Sequence, residues 1–149
     1  MKKFIYKVLL AIPLVLMLNG CQEKQTGEQH KVHWDRDMCD RCKMVMSERN
    51  HAVQVINPQT NKAHNFDDIG CAILWFKEEK IQWKDQANIW IADIESAKWI
   101  DARHAFYDTE KLTPMGFGFR AYKEKDSIKD GDEVINFEEL KTRILNKKQ

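Results

Sequence analysis

The sequence predicts an α+β fold built from two tandem ββαβ-like units and a C-terminal helix. Two observations lead to this class. Short runs rich in β-branched and aromatic residues alternate with clusters of turn-forming residues, and two longer stretches repeat their apolar residues at helical spacing. In chain order, the elements run hairpin, helix, strand, then hairpin, short helix, strand and helix. Two ββαβ units in tandem would explain that order.

The first predicted unit begins with a hairpin. Residues 51–56 form a short β-type run, residues 57–62 are dense in turn formers, and residues 63–66 form the returning strand. Asp67 and Asp68 follow directly, and their carboxylates suit the N-cap and first turn of a helix.

That helix is predicted over residues 69–80. Its apolar residues recur at i, i+3, i+4 and i+7, beginning at Ile69 and ending at Phe76. Cys71 lies in its first turn, where we expect an ordinary buried helical cysteine rather than a metal or redox group. A strand over residues 87–94 completes the unit.

The second half contains shorter signals. Residues 97–107 are predicted to form one or two strands, and residues 112–118 form a Pro/Gly turn that leads into a strand over residues 119–122. The remaining predicted elements are a short helix at 123–129, a short strand at 133–136 and a terminal helix at 137–147. The apolar stripe of the terminal helix consists of Phe137, Leu140, Ile144 and Leu145.

Residues 1–20 precede the fold and have the architecture of a signal peptide. Three lysines are followed by an apolar run over residues 8–18, which is too short for a stable transmembrane helix. The segment ends in Leu-Asn-Gly-Cys21, which resembles a bacterial lipobox. The resemblance implies cleavage before Cys21 and diacylation of Cys21, with lipid chains such as palmitate, which would fasten the protein to the outer face of a membrane. A soluble secreted protein with an unmodified Cys21 is the alternative.

Residues 21–36 are predicted to be a polar tether, and residues 37–149 the folded domain. The whole chain has 24 basic and 23 acidic residues, and cleavage removes three of the lysines, so the mature chain carries a net charge of −2. This balance gives no electrostatic case for nucleic acid as a partner. Three cysteines remain besides Cys21, and in an oxidising compartment an odd number leaves at least one free thiol or metal thiolate.

Metal-binding side chains concentrate in residues 37–46, Asp-Met-Cys-Asp-Arg-Cys-Lys-Met-Val-Met. Two thiols and three thioethers in ten residues are soft ligands, which select Cu(I) over harder ions. On an extended segment Cys42 and Met44 point to the same side and can touch one ion, whereas on a helix they would diverge. We therefore expect this segment to be extended or looped.

Three other interpretations of Cys39-x-x-Cys42 stay open. Zinc usually takes four Cys or His ligands, and the sequence has no second Cys-x-x-Cys and no His-x-x-x-His. A redox motif would normally lie in a thioredoxin-like unit, and only a polar linker precedes this one. The third interpretation is a structural disulfide, with the methionines filling the core.

Taken together, four motifs resemble the NosL family, the lipoprotein accessory factors of nitrous oxide reductase. They are Met-Cys-Asp-Arg-Cys-Lys-Met at 38–44, Phe-Asp-Asp-Ile-Gly-Cys at 66–71, Thr-Pro-Met-Gly-Phe-Gly at 113–118 and the closing Val-Ile-Asn-Phe-Glu-Glu-Leu at 134–140. The resemblance covers roughly residues 37–140 and is reinforced by the lipobox. It implies two ββαβ units and one Cu(I) ion per chain.

The resemblance also implies the ligands. Cys42 and Met44 become the first two, and Met115, in the Pro-Met-Gly turn, becomes the third. Cys39 is a weaker candidate because some family members keep only the second cysteine of the motif. Met46 and His51 are further candidates that the resemblance does not imply, to be considered if Met115 is not a ligand.

The implied protein is an extracytoplasmic, membrane-anchored copper metallochaperone rather than an enzyme. It would deliver copper to nitrous oxide reductase or to the ABC-type transporter that serves its maturation. The alternative is a membrane-anchored thiol–disulfide oxidoreductase that uses Cys39 and Cys42.

Overall fold

A computed structural model of the protein describes residues 27–147, so the predicted leader and Cys21 lie outside the described residues. The first regular elements are strands β1 (Val53–Ile56) and β2 (Ala63–Phe66), which pair antiparallel as the predicted hairpin. All four residues of β1 are buried, because this strand lies inside the larger sheet and not at its edge.

Helix α1 (Ile69–Glu78) begins at the predicted N-cap. The Asp68 carboxylate accepts a hydrogen bond from the Gly70 amide at 3.1 Å, which satisfies one of the free N–H groups at the helix start. Every residue from Ile69 to Phe76 is buried, because α1 contacts both strands of the hairpin and the C-terminal helix.

The larger sheet is completed by β3 (Asn88–Ala92) and β4 (Trp99–Asp101). Its strand order is β2-β1-β3-β4, and every pair in it is antiparallel. A smaller sheet pairs β5 (Phe106–Asp108) with β6 (Arg120–Tyr122). The C-terminal helix α2 (Phe137–Asn146) starts at Asn136, whose side chain accepts from the Glu139 amide at 2.9 Å.

The predicted α+β class is confirmed, but two matching ββαβ units are not seen. Strand β4 joins the first sheet instead of opening a second unit. Residues 123–129 bury only Ile128, and without an apolar stripe they form one 3-10 turn, Lys125–Ser127, in place of a helix. The predicted strand at 133–136 is reduced to a single bridge between Ile135 and Tyr107.

Leu145 departs from the predicted stripe of the terminal helix. Phe137, Leu140 and Ile144 are buried as expected, whereas 38% of Leu145 is exposed. It lies on the margin of the helix, one residue before its end, and lines a surface groove instead of the core.

Residues 27–36, the second half of the predicted tether, contact the larger sheet. The Trp90 indole donates to the Gly27 carbonyl at 2.8 Å, and the His30 amide donates to the Gln54 side chain at 2.6 Å. The packed part of the chain therefore includes Gly27. In the described range, no helix is both long enough and apolar enough to span a bilayer.

Candidate metal centre

The Cys-x-x-Cys segment folds back on itself as a tight loop. Met38 and Val45 form an antiparallel bridge, and inside it the Cys39 amide donates to the Met44 carbonyl at 2.8 Å. The Lys43 amide donates to the Cys39 carbonyl at 3.0 Å, and Lys43 adopts the left-handed conformation with φ of 63°. The segment is thus looped, as the Cys-x-Met spacing predicted, and its exposed side carries Met38, Met44 and Val45.

The two residues between the cysteines hold this loop against the fold. The Asp40 amide donates to the Asn65 carbonyl at 2.8 Å, and its carboxylate lies 2.7 Å from the His64 ring. Arg41 makes a bidentate pair with Glu78 of α1, with distances of 2.9 and 2.8 Å. The loop is therefore fixed to β2 on one side and to α1 on the other.

Three thiols and a carboxylate converge beneath the loop. The ligand atoms of Cys39, Cys42, Asp67 and Cys71 all lie within 4.8 Å of one another. Cys39 and Cys71 are fully buried, and Cys42 is partly exposed. All three cysteines in the described range are free thiols, which leaves their sulfur atoms available to a soft metal ion.

The thiols differ in how readily they lose their protons. The neighbouring Cys71 thiol lowers the Cys39 pKa to about 6, because it can stabilise the Cys39 thiolate by donating a hydrogen bond to it. The same interaction, together with burial, raises the pKa of Cys71. Burial raises the pKa of Cys42 to about 11. A metal ion that binds Cys42 near neutral pH must therefore displace its proton.

Asp67 and Asp68 are adjacent and serve different partners. The Cys42 thiol donates to the Asp67 carboxylate, with its sulfur 3.4 and 3.5 Å from the two oxygens. The Asp68 carboxylate accepts from the Thr113 hydroxyl at 2.7 Å and from the Met115 amide at 3.2 Å. Burial raises the pKa of Asp68, and these hydrogen bonds oppose that rise.

The structure therefore brings the Pro-Met-Gly turn to the same end of α1 as the thiols. Met115 is partly buried against the core, and the Phe117 ring covers Gly70 so closely that a Cβ there would lie 2.0 Å from it. Met115 thus lies close to the predicted site, since its amide is bound to the residue that follows Asp67.

The other sequence candidates are more scattered. Met44 is 52% exposed on the outside of the loop. Met46 is buried in the core, where its side chain packs as a hydrophobic residue. His51 is partly buried in the 3-10 turn Arg49–His51, and burial lowers its pKa.

Sequence reasoning did not include Asp67 and Cys71 among the site residues. The sequence predicts a role for Asp67 at the helix start, and for Cys71 it favours a buried core position over a metal or redox role. Asp67 comes just before the predicted N-cap and Cys71 lies in the first turn, so a helix that begins there puts both residues at the same helix end.

Comparison with known proteins agrees with this architecture. A sequence model described as NosL matches residues 31–144. No curated protein sequence matches the chain. The crystal structure of the copper chaperone NosL from Shewanella denitrificans is similar, with a TM-score of 0.57 and 16% identity over 74% of this chain and 94% of that one. At that identity the likeness shows a shared fold, and the family match, which spans most of the chain, shows that this protein belongs to the NosL family.

Proposed function

We propose that this protein is a Cu(I) metallochaperone. The observation that carries the proposal is that a partly exposed free thiol, Cys42, and the Met115 turn are held at the same end of α1 by the neighbouring carboxylates Asp67 and Asp68, in a NosL-family fold. Thiolates are the side chains that bind Cu(I) most readily and that stabilise it against oxidation. The similar solved structure is itself described as that of a copper chaperone. NosL membership also agrees with the expectation that the protein is not an enzyme.

The proposed ligands are Cys42, Met44 and Met115. Cys42 is the most accessible of the three described thiols, and Met44 follows two residues later on the exposed side of the loop. The hydrogen bonds to Asp68 support the participation of Met115, because they hold its turn at the start of α1. One thiolate and two thioethers form a soft, three-coordinate site. An acceptor protein can add a ligand to such a site before the original ligands leave.

The proposal also includes the location of the protein and the recipient of its copper. Residues 1–20 act as a lipoprotein leader, residues 21–36 follow from acylated Cys21 and pack against the larger sheet from Gly27 onwards, and residues 37–149 form the copper-binding domain. The protein then stands outside the cytoplasm, anchored to the membrane by its lipid. Its copper goes to nitrous oxide reductase or to the ABC-type transporter of that enzyme's maturation.

One observation favours a second candidate function, thiol–disulfide exchange by Cys39 and Cys42. The Cys39 pKa of about 6 gives a thiolate at neutral pH, as a redox cysteine requires. Cys39 is fully buried, however, and a substrate disulfide cannot reach its sulfur without opening the loop. Copper binding is therefore the better supported function.

Competition with a Cu(I) chelator under anaerobic, reducing conditions tests the ligand set. We expect Cys42→Ser to lose most of the affinity, because it removes the anionic ligand. Met44→Ala and Met115→Ala should each weaken binding about tenfold, equivalent to ~1.4 kcal/mol. Met38→Ala is the matched control, since Met38 is as exposed as Met44 in the same loop and should bind like the wild type.

Two further variants distinguish the thioether set from the thiol cluster. Cys39→Ser and Cys71→Ser should keep most of the copper affinity if the methionines close the site. Loss of binding in either one as complete as in Cys42→Ser, with the fold intact by circular dichroism, would show that the cluster thiols are the ligands.

A further inference from the structure

We propose that the groove between α1 and α2 binds anionic phospholipid at the surface of the membrane to which the protein is anchored. The inference goes beyond copper binding, and it rests on the proposed acylation of Cys21. It is carried by the charge of the groove, by its apolar floor, and by the place where the described chain begins.

The groove has a basic rim and a hydrophobic floor. It encloses about 900 Å³ between α1, the residues that follow it and α2. Phe76, Ile81 and Leu145 are among its apolar lining residues, which accounts for the partial exposure of Leu145. The basic side chains that line it are Lys77, Lys80, Lys84, Arg103 and Lys141, against a single acidic one, Asp85.

This charge is local and does not reflect the whole protein. The mature chain is expected to carry a net charge of −2, so a groove with five cations and one carboxylate stands apart from its surroundings. Lys141 is paired with Glu138 and Arg103 donates to backbone carbonyls, whereas Lys77, Lys80 and Lys84 extend into solvent. An apolar floor beneath free lysines suits a ligand with a hydrocarbon chain and a phosphate group.

The start of the described chain lies at the same end of β3 as the groove. Gly27 packs against Asn88, and its carbonyl accepts from the Trp90 indole. Asn88 and Trp90 line a smaller cavity of about 240 Å³, which shares Asp85, Ile89 and Arg103 with the groove. Cys21 lies six residues before Gly27, a segment that spans at most ~20 Å when fully extended. Successive strand residues point to opposite faces, so Asn88 and Trp90 point away from Ile89, and Gly27 lies on the face of the sheet opposite the groove. The segment to Cys21 is about twice as long as the ~10 Å between packed layers, so the acylated residue can reach the groove side past the end of β3.

Docking there would leave the metal centre accessible. The groove lies towards the C-terminal end of α1 and the thiol cluster lies at its N-terminal end, along a helix of about 15 Å. With the groove against the lipid surface, Cys42 remains exposed to a copper-accepting protein. The anchor thus sets the location of the protein, and the groove sets its orientation.

Hydrogen exchange of the full-length acylated protein in vesicles tests the proposal. The protein is reconstituted into vesicles of phosphatidylcholine alone, or of phosphatidylcholine and phosphatidylglycerol in equal parts. Amides in residues 80–86 and 141–146 should exchange several-fold more slowly on the anionic vesicles, and this protection should fade at high salt. Equal exchange on the two vesicle types would overturn the proposal. That result is also expected if the groove binds a protein segment instead of a phospholipid.

Two variants of equal charge make the test specific to the groove. One carries glutamine at Lys77, Lys80, Lys84 and Lys141, and the other carries glutamine at four exposed lysines elsewhere, Lys62, Lys98, Lys123 and Lys125. Only the groove variant should lose the protection. If both lose it alike, net charge and not the groove is responsible, and the proposal fails.

The outcome is separable from the copper proposal. Flotation of the vesicles shows first whether the protein is anchored, and a protein that is not acylated would remove the basis of the inference. This experiment does not measure copper affinity. The groove can therefore be protected in a protein that binds no copper, and a protein that binds copper can lack the protection.

Discussion

Asp67 and Asp68 are the pair of residues that links the two parts of the candidate site. Asp67 accepts from the Cys42 thiol, and Asp68 accepts from Thr113 and Met115. Two neighbouring carboxylates at the start of one helix thus bind segments that lie far apart in sequence. This arrangement explains how the loop and the Pro-Met-Gly turn come to the same end of α1.

Replacing Asp68 with alanine tests this link. The variant loses the N-cap and two further hydrogen bonds, so we expect it to be destabilised by at least ~1–2 kcal/mol in urea unfolding. Its Cu(I) affinity should also fall, because the Met115 turn is no longer held.

Asn136→Ala is the matched control, since Asn136 caps α2 in the same way without touching the site. That variant should lose about 1 kcal/mol of stability and keep its copper affinity. Equal copper affinity in the two variants would contradict the positioning role of Asp68.

Single residues also show what the sequence could predict of the site. The Asp68 cap and the looped conformation of the Cys-x-x-Cys segment followed from residue type and spacing. The meeting of Cys71 with Cys39 and Cys42 did not, because it depends on the pairs Asp40–His64 and Arg41–Glu78 that fix the loop in space. No local pattern encodes those long-range pairs.

Among the elements, α1 approaches the Pro-Met-Gly turn of the second half of the chain very closely. Gly70, in its first turn, lies beneath the Phe117 ring, and an added methyl group would meet three ring carbons at 2.0 to 2.3 Å. The helix and the Pro-Met-Gly turn can approach this closely only because residue 70 lacks a side chain.

Gly70→Ala should therefore destabilise the fold by about 1–3 kcal/mol through overpacking, even though alanine favours a helix. The double variant with Phe117→Ala should recover part of this loss, because the colliding ring is gone. Urea unfolding of the two single variants and the double variant measures the coupling. If the changes in unfolding free energy of the two single variants simply add in the double variant, the contact between residue 70 and the Phe117 ring does not limit the position of the helix.

The sequence predicted the elements that have a strong apolar periodicity or clear turn residues, and it did not predict the weakly patterned ones. The β1–β2 hairpin and both α-helices were predicted from alternation, turn residues and apolar spacing. Strand β4 belongs to the first sheet because it pairs with β3. This pairing depends on tertiary contacts, and a strand of three residues has too little sequence pattern to predict it. The predicted short helix at residues 123–129 does not form, because Ile128 is the only one of these residues that is buried.

At the scale of the whole molecule, the proposed function requires an anchor at the N terminus. If Cys21 is acylated, the wild-type protein should sediment with membranes. Cys21→Ala should lack the lipid chains, each methylene of which favours the bilayer by about 0.8 kcal/mol, and should shift towards the soluble fraction. Fractionation followed by mass spectrometry of the N-terminal peptide measures both effects. A wild-type protein that is entirely soluble after removal of the leader would contradict the lipoprotein proposal.

We propose that this protein carries one Cu(I) ion, bound through Cys42. Native mass spectrometry of the reduced full-length protein, loaded with Cu(I) under anaerobic conditions and then freed of excess metal, tests it most directly. We expect one copper ion per chain in the wild type and none retained by folded Cys42→Ser. A wild type that retains no copper, or a Cys42→Ser variant that retains as much as the wild type, would contradict it.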